Sequence, residues 1–211
     1  MTKQGKFDTL NVAFWYPYEE CYICYIRDFH KDREKDIRDI RWMKSKDFKN
    51  WTTPVLLDFG GSEDHPLYTN VIQPYYRADH VLIGFPSRYV EKQKWTSNFD
   101  QLPGVENRKK RMSLSPRYGL SITDCVLMSS RDGKNWNRWD EAFMTPGIER
   151  ELNWVYGDCY PAVGMIETKS DLPYAPNELS MYAFDYHWDL RPSVLRRYTI
   201  RIDGFVSYHA P

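Results

Sequence analysis

The chain has 211 residues, enough for one large domain or two small ones. Its 29 basic and 29 acidic residues cancel, so no long-range field draws it to nucleic acid or to an anionic membrane surface. Hydrophobic residues make up 42%, ample for a core, and no run approaches the ~20 apolar residues of a membrane span.

Aromatic content is high, with 8 Trp, 16 Tyr and 10 Phe. Such residues suit pleated, half-buried strands and also form flat walls for sugar rings. Cys21 and Cys24 lie in a strand-like run and point to opposite faces at a period of two. No second Cys-x-x-Cys follows, so zinc is not expected, and Cys21, Cys24, Cys125 and Cys159 read as buried free thiols. The run after Met1 is polar and unlike a signal peptide. A secreted or periplasmic location is expected only if a longer protein carries such a signal.

Along the chain, the first unit opens with the strand Asn11-Val-Ala-Phe-Trp15, turns at 17–20 and returns over 21–27. A mixed-charge run at 30–36 reads as an exposed hairpin tip. Then comes Asp39-Ile-Arg-Trp-Met-Lys-Ser-Lys-Asp-Phe-Lys-Asn-Trp51. The second unit opens at Asn70, turns at 77–79 and returns over 80–88. Arg27 and Arg88 end their strands 16 and 18 residues after Asn11 and Asn70. A long loop over 89–118 holds the basic run 107–111, which reads as solvated. Asp124-Cys-Val-Leu-Met-Ser-Ser-Arg-Asp-Gly-Lys-Asn-Trp136 follows, and residues 141–152 have room for a short helical turn.

The two 13-residue segments are offset by 85 residues without a gap and share seven residues, ending in Ser-x-Asp-x-x-x-Trp. The physics is that of a strand and tight turn: Asp47 and Asp132 accept backbone N–H bonds, and the tryptophan packs on a neighbouring sheet. The third unit begins at Asp158 and has strands at 158–166, 178–184, 194–202 and 204–208. Each unit thus reads as four antiparallel strands, and four-stranded units in series are the mark of propeller blades. No segment has the 3.6-residue pattern of a major helix.

Ser45-Lys-Asp-Phe-Lys-Asn-Trp51 resembles the Ser-x-Asp-Leu-x-x-Trp blade turn of the five-bladed β-propeller glycosidases, the group that includes invertases, levansucrases and arabinanases. Asn11-Val-Ala-Phe-Trp15 is similar to that group's Asp-Pro-x-Val-Phe-Trp inner strand. Tyr68-Thr-Asn-Val-Ile-Gln-Pro-Tyr-Tyr-Arg77 and Arg197-Tyr-Thr-Ile-Arg-Ile-Asp-Gly-Phe-Val-Ser207 look like a less characterised bacterial glycosyl hydrolase-like branch. The resemblance implies an all-β fold of five-bladed glycosidase type. This chain would supply about three blades, at 7–60, 66–146 and 154–208, of one partial propeller domain over 1–211. Three blades do not close a ring of 4–8. Self-association or missing N-terminal blades are therefore expected.

Glycoside hydrolysis needs two carboxyl groups, one giving a proton and one acting as nucleophile or base. The expected acids lie near strand starts: Asp8, Asp39, Asp124 and Asp158, with Glu149 or Glu151 on a loop. The family's inner-strand aspartate is replaced by Asn11 here and by Asn70 in the second unit; only Asp158 keeps the carboxylate. Asn11, Asn70, Gln73, Arg27 and Arg88 are the expected hydroxyl and carboxylate binders. Trp15, Tyr68, Tyr75, Trp154 and Tyr160 are the expected aromatic platforms. Three groupings follow from antiparallel geometry. Asp8 and Asn11 gather near Arg27 and Asp39; Tyr68, Asn70 and Gln73 near Arg88 and Asp124; Asp158 and Tyr160 near Asp185, Tyr186 and His187.

No cofactor and no metal are expected. There is no phosphate loop, no His-Glu-x-x-His and no Gly-x-Ser-x-Gly, and the five histidines lack ligand spacing. The expected function is a carbohydrate-active propeller, a glycoside hydrolase or a fragment of one. The alternative is a non-catalytic sugar-binding or protein-interaction propeller.

Overall fold

The repeated Ser-x-Asp-x-x-x-Trp segment folds twice into the same turn. The structure is a computed structural model that describes residues 6–32, 35–151, 153–187 and 192–206. Asp47 Oδ1 accepts the backbone N–H of Lys49 at 2.8 Å and of Asn50 at 2.7 Å. Asp132 Oδ1 accepts those of Lys134 at 2.9 Å and Asn135 at 2.8 Å. The Trp51 indole donates to Phe48 O and the Trp136 indole to Gly133 O. Both acceptor residues have positive φ, 61° at Phe48 and 80° at Gly133, so the second copy uses the residue suited to that backbone.

The first sheet is a meander of β1 (Val12–Tyr16), β2 (Cys21–Asp32), β3 (Lys35–Ser45) and β4 (Val55–Leu56), antiparallel throughout. The second repeats that plan in pieces. It contains β5 (Gln73–Tyr75), β6 (Ala78–Gly84), β7 (Ser87–Glu91), β8 (Ser121–Ser130) and β9 (Asn137–Met144). β6 and β7 pair with the same edge of β8 in one register, Leu82 opposite Ser130 and Arg88 opposite Asp124. They are one strand interrupted at Phe85-Pro86, where proline has no N–H for the ladder. The third sheet holds β10 (Tyr160–Pro161), β11 (Ile166–Thr168), β12 (Glu178–Asp185) and β13 (Val194–Arg201), with β10 and β11 on one side of β12 and β13 on the other.

The chain is mostly β, with antiparallel four-stranded sheets. Its third unit differs from expectation at two places. The strand at 158–166 is broken into β10 and β11. Residues 204–206 form a turn and end rather than a fourth strand, and 207–208 lie outside the described residues.

Alternation along the strands makes two faces per sheet, and the sheets stack on them. Ile23, Tyr25 and Ile40 of the first sheet pack on Leu82, Val126, Met128 and Trp136 of the second. The second sheet's other face, with Ile83, Phe85, Cys125 and Leu127, packs on Leu179, Met181 and Ala183 of the third. The first sheet's other face carries Cys24, Ile26, Met43 and Trp51. All four cysteines are buried and free of disulfides.

The region 89–118 departs from the loop expected there. It contains α1 (Val105–Leu114) and the short α2 (Pro116–Leu120). The basic run is not solvated as a whole, because Arg108 is 1% exposed. Its guanidinium donates to Gly119 O at 3.3 Å and to Trp154 O at 2.6 Å and lies over the Phe99 ring. Arg111 donates to Tyr156 O at 3.3 Å. These tertiary bonds, rather than an amphipathic stripe, hold the helix.

Candidate functional site

β2 ends and β3 begins at one end of the first sheet, and the same end of the second sheet carries Tyr89, Arg88, Asp124 and the helices. Three polar side chains here are spent on strand geometry. Asn11 Oδ1 accepts Arg27 N–H at 3.1 Å, Thr69 Oγ1 accepts Ser87 N–H at 3.3 Å and Asp158 Oδ1 accepts Tyr186 N–H at 3.2 Å. In each sheet a side chain ahead of the first strand thus ties down the backbone of the strand beside it, at Arg27 within β2, at Ser87 where β7 begins and at Tyr186 just after β12. Asp158 also accepts Trp154 N–H at 3.1 Å and is fully buried. Asn70, equally buried, donates to Leu10 O at 3.1 Å and so links the first two sheets.

The expected groupings form unevenly. Asp8 pairs with Arg27, but Asp39 stands opposite Asp28 on the other face of the sheet from Arg27. Arg27 and Arg88 are not equivalents: Arg27 faces Ile40, whereas Arg88 faces Asp124 and so takes the place of Asp28. Neither ends its strand, because β2 runs on to Asp32 and β7 to Glu91. Arg88 holds Asp124 with Nε at 2.9 Å and Nη2 at 2.7 Å, and gives a third bond to Asp140 O at 2.5 Å. Gln73 lies in β5 opposite Ile83, away from that pair. Tyr75 sits at the far end of the strand and donates to Asp203 at 2.5 Å. Trp15 stands on the first sheet's outer face against Tyr22. The Trp154 indole donates to Gly147 O at 2.7 Å, and Glu149 and Glu151 are exposed.

Tyr68 and Tyr160 do come together, with ring centroids 5.5 Å apart, in a larger cluster. The Tyr89 hydroxyl lies 2.7 Å from that of Tyr160, and its ring stacks on Tyr156 at 4.8 Å and 10°. His187 meets the Tyr160 ring edge-on at 5.1 Å. Arg117 lies over Tyr89 at 4.5 Å and Tyr156 at 5.1 Å, and pairs with Glu91. Arg38 lies over Tyr68 at 5.8 Å and Tyr89 at 5.7 Å.

Beside this cluster stands a chain of three groups, only one of which sequence reasoning picks out. His30 Nδ1 is 2.8 Å from Asp39 Oδ2, and His30 Nε2 is 2.8 Å from Asp64 Oδ2. Asp39 is 7% exposed and also accepts Ile40 N–H at 2.7 Å. Asp64 is half exposed and lines a cleft of roughly 730 Å³ with Arg38, His65, Tyr89 and Arg117. His30 is therefore not part of a solvated hairpin tip. No motif could flag it, because Asp64 comes from the connection after β4, 34 residues away in sequence.

Burial pushes the Asp39 carboxyl up to about 6, against the lowering effects of Ile40 N–H and His30. Burial pulls His30 down, but Asp64 and Asp39 outweigh it and its pKa ends above the usual 6.5. Asp39 thus titrates at about 6, close to the range where proton transfer is most useful, and His30 is shifted toward its protonated form by its two carboxylates. Burial and the neighbouring Asp185 also push Asp158 up to about 6.

These shifts give a stability prediction. A carboxyl more basic folded than unfolded contributes full stability below its unfolded pKa of 3.8 and loses it as pH rises through the folded value of about 6. Asp39 and Asp158 should each cost about 2–3 kcal/mol across that window. The turn carboxylates Asp47 and Asp132 act oppositely, but below their ordinary range. Backbone N–H bonds lower Asp47; burial raises Asp132, and Asn135 and Lys134 outweigh it. Urea midpoints should therefore fall between pH 4 and 6.5, and Asp39→Asn should flatten the slope. A midpoint that rises over this range would refute the assignment.

Among the described residues, no three His, Cys, Asp or Glu side chains converge as a metal site, and no helix is long and apolar enough to cross a membrane.

An N-acetylgalactosamine deacetylase from F. plautii, solved in complex with blood group B trisaccharide, is similar to this chain with a TM-score of 0.50 and 11% identity, over 88% of this chain and 42% of that one. A glycosyl hydrolase from Bacteroides ovatus aligns over 96% of this chain and 58% of that one, with a TM-score of 0.36 and 12% identity. The chain therefore spans less than two thirds of either neighbour, and both neighbours are carbohydrate-processing enzymes by name. No protein-family profile matches the sequence, and no curated protein matches it.

Proposed function

We propose that the chain is a carbohydrate-active domain made of three blades of a propeller, over 7–60, 66–146 and 154–208, and that it hydrolyses glycosidic bonds. The observation that carries this reading is the Asp64–His30–Asp39 chain opening onto a cleft beside clustered tyrosines. Asp64 is the carboxyl at the cleft. His30 moves a proton to or from it, and Asp39 holds the imidazole in place. In the reaction the bond from the anomeric carbon to the leaving oxygen breaks, that oxygen takes a proton, and water supplies the new oxygen on carbon. Tyr68, the half-buried member of the cluster, offers ring surface for the sugar, and the buried Tyr89 and Tyr160 support it from behind. The fold likeness to a deacetylase that acts on an amino sugar is consistent with a glycan ligand.

A second reading, sugar binding without hydrolysis, is favoured by a separate observation: Asp8, Asp124 and Asp158 are all engaged by arginine or backbone partners. A panel of aryl glycosides and oligosaccharides separates the two. Turnover lost in Asp64→Asn supports hydrolysis; saturable binding with no turnover on any member supports the second reading.

The propeller reading makes a prediction about the first sheet's outer face. Met43 and Trp51 repeat Met128 and Trp136, and the latter pair is buried against a neighbouring sheet. Met43 and Trp51 instead line an apolar groove of roughly 540 Å³, beside Phe48 and Trp15, which are 49% and 46% exposed. A face of this kind is covered in a closed ring, by further blades or by a second copy. The chain alone should self-associate in sedimentation, and Trp15→Glu with Phe48→Glu should shift it to monomer. A wild-type monomer at all concentrations would defeat the covered-face reading.

A further inference from the structure

We infer that the cleft recognises a sugar bearing a carboxylate, a uronic acid unit, through Arg38; this rests on the carbohydrate reading and adds the substrate class to it. The cleft's other arginines are already committed. Arg88 is held by Asp124, and Arg117 pairs with Glu91. Arg38 has no ion pair and no side-chain hydrogen bond among the described residues, and its Nε is buried without a partner. It is surrounded by rings instead, with Phe29 at 5.8 Å, Tyr68 at 5.8 Å and Tyr89 at 5.7 Å.

Only Nε of the Arg38 guanidinium is buried; the two terminal nitrogens stay open at the cleft, so among the described residues the fork presents free donors to a ligand. This planar fork matches a carboxylate in two parallel bonds. The rings hold the fork in one orientation, so little freedom is lost on binding. Tyr89 lines the same cleft but is 2% exposed and stacked on Tyr156, so ring contact with the sugar falls to the half-buried Tyr68, whose ring lies 5.8 Å from the Arg38 guanidinium. The cleft lining holds five lysine and arginine side chains, Arg38 included, against five carboxylates. The local field therefore does not repel a single negative charge. Asp64, at the same cleft, places the proton-handling group within the volume that the uronate would occupy.

Isothermal titration of the whole chain tests this, with a glucuronate-containing trisaccharide, its neutral glucose counterpart and its glucose 6-sulfate counterpart. The acidic sugar should bind at least about tenfold tighter than the neutral one, the scale of a charged hydrogen bond. Arg38→Gln should remove that preference while leaving neutral-sugar affinity within about twofold, and Arg38→Lys should restore part of it. Equal binding of acidic and neutral sugars overturns the inference but leaves the carbohydrate reading standing. Preference for the sulfate overturns it in favour of a sulfated glycan. Absence of binding by all three overturns both. A thermal melt of Arg38→Gln within a few degrees of wild type shows that the comparison is made on folded protein. If that variant melts early, Arg38→Lys alone decides: retention of the full preference would sink the role of the fork.

Discussion

Asp124→Ala should destabilise the chain by about 3–5 kcal/mol, because it leaves the Arg88 guanidinium buried without the carboxylate that answers its charge. Both side chains are under 10% exposed, and Asp124 accepts two parallel bonds from Arg88. A domain of this size has about 5–15 kcal/mol in all, so the loss is a large share of the total. The third bond, to Asp140 O, remains in the variant, and it satisfies one donor but no charge. The paired replacement Arg88→Met with Asp124→Leu should recover most of the loss, since a buried ion pair is often worth no more than well-packed apolar groups. Urea unfolding of wild type, the single variant and the double variant measures both effects. A single variant within about 1 kcal/mol of wild type would mean that water reaches the pair.

The repeat that places Asp124 was legible because identical residues make identical local bonds. Ser45, Asp47 and Asn50 bond within the turn as Ser130, Asp132 and Asn135 do. Such turns depend on neighbours a few residues away, so sequence carries them. Counting along strands was less safe. Arg27 and Arg88 look equivalent when counted from Asn11 and Asn70, but Thr69, one residue earlier, takes the part of Asn11, and Ser87 that of Arg27. A shift of one residue moves a side chain to the other face of its sheet. The helix at α1 escaped notice for a different reason. Its sequence has no apolar stripe, and its hold on the fold is a buried arginine bonded to Gly119 O of the next helix and to Trp154 O, 46 residues on.

The aromatic surplus was visible as a number, yet only the fold sorts it. Tyr68 and Tyr160 meet at the end of the sheets, Tyr75 bonds Asp203 at the far end, and Trp15 faces outward. Distant pairing decides the site in the same way. Asp39 stood out from its repeat, but the imidazole and second carboxylate beside it come from β2 and from the chain after β4. Arg38 carried no signal at all, since an unpaired arginine differs from a paired one only in space.

His30→Gln should lower kcat on a hydrolysed glycoside by about 10²–10⁴, the usual contribution of positioned acid–base groups, with KM changed little. The imidazole sits between two carboxylates and, among the described residues, meets neither the tyrosines nor Arg38, so glycan binding should survive its loss. Asp64→Asn should have an effect of the same size, because it removes the carboxyl that reaches the cleft. Asp39→Asn should be felt through the pH profile. The group that titrates at about 6 is gone, and the imidazole loses the anion that raises its pKa, so the acidic limb of kcat should move. Glutamine at position 30 cannot carry a proton at any pH, so in that variant the limb should vanish rather than move. Steady-state kinetics from pH 4 to 9 on the three variants distinguishes a proton-handling chain from a structural one. A structural role would lower stability and leave the shape of the profile unchanged, and that outcome would remove His30 and both of its partners from the reaction.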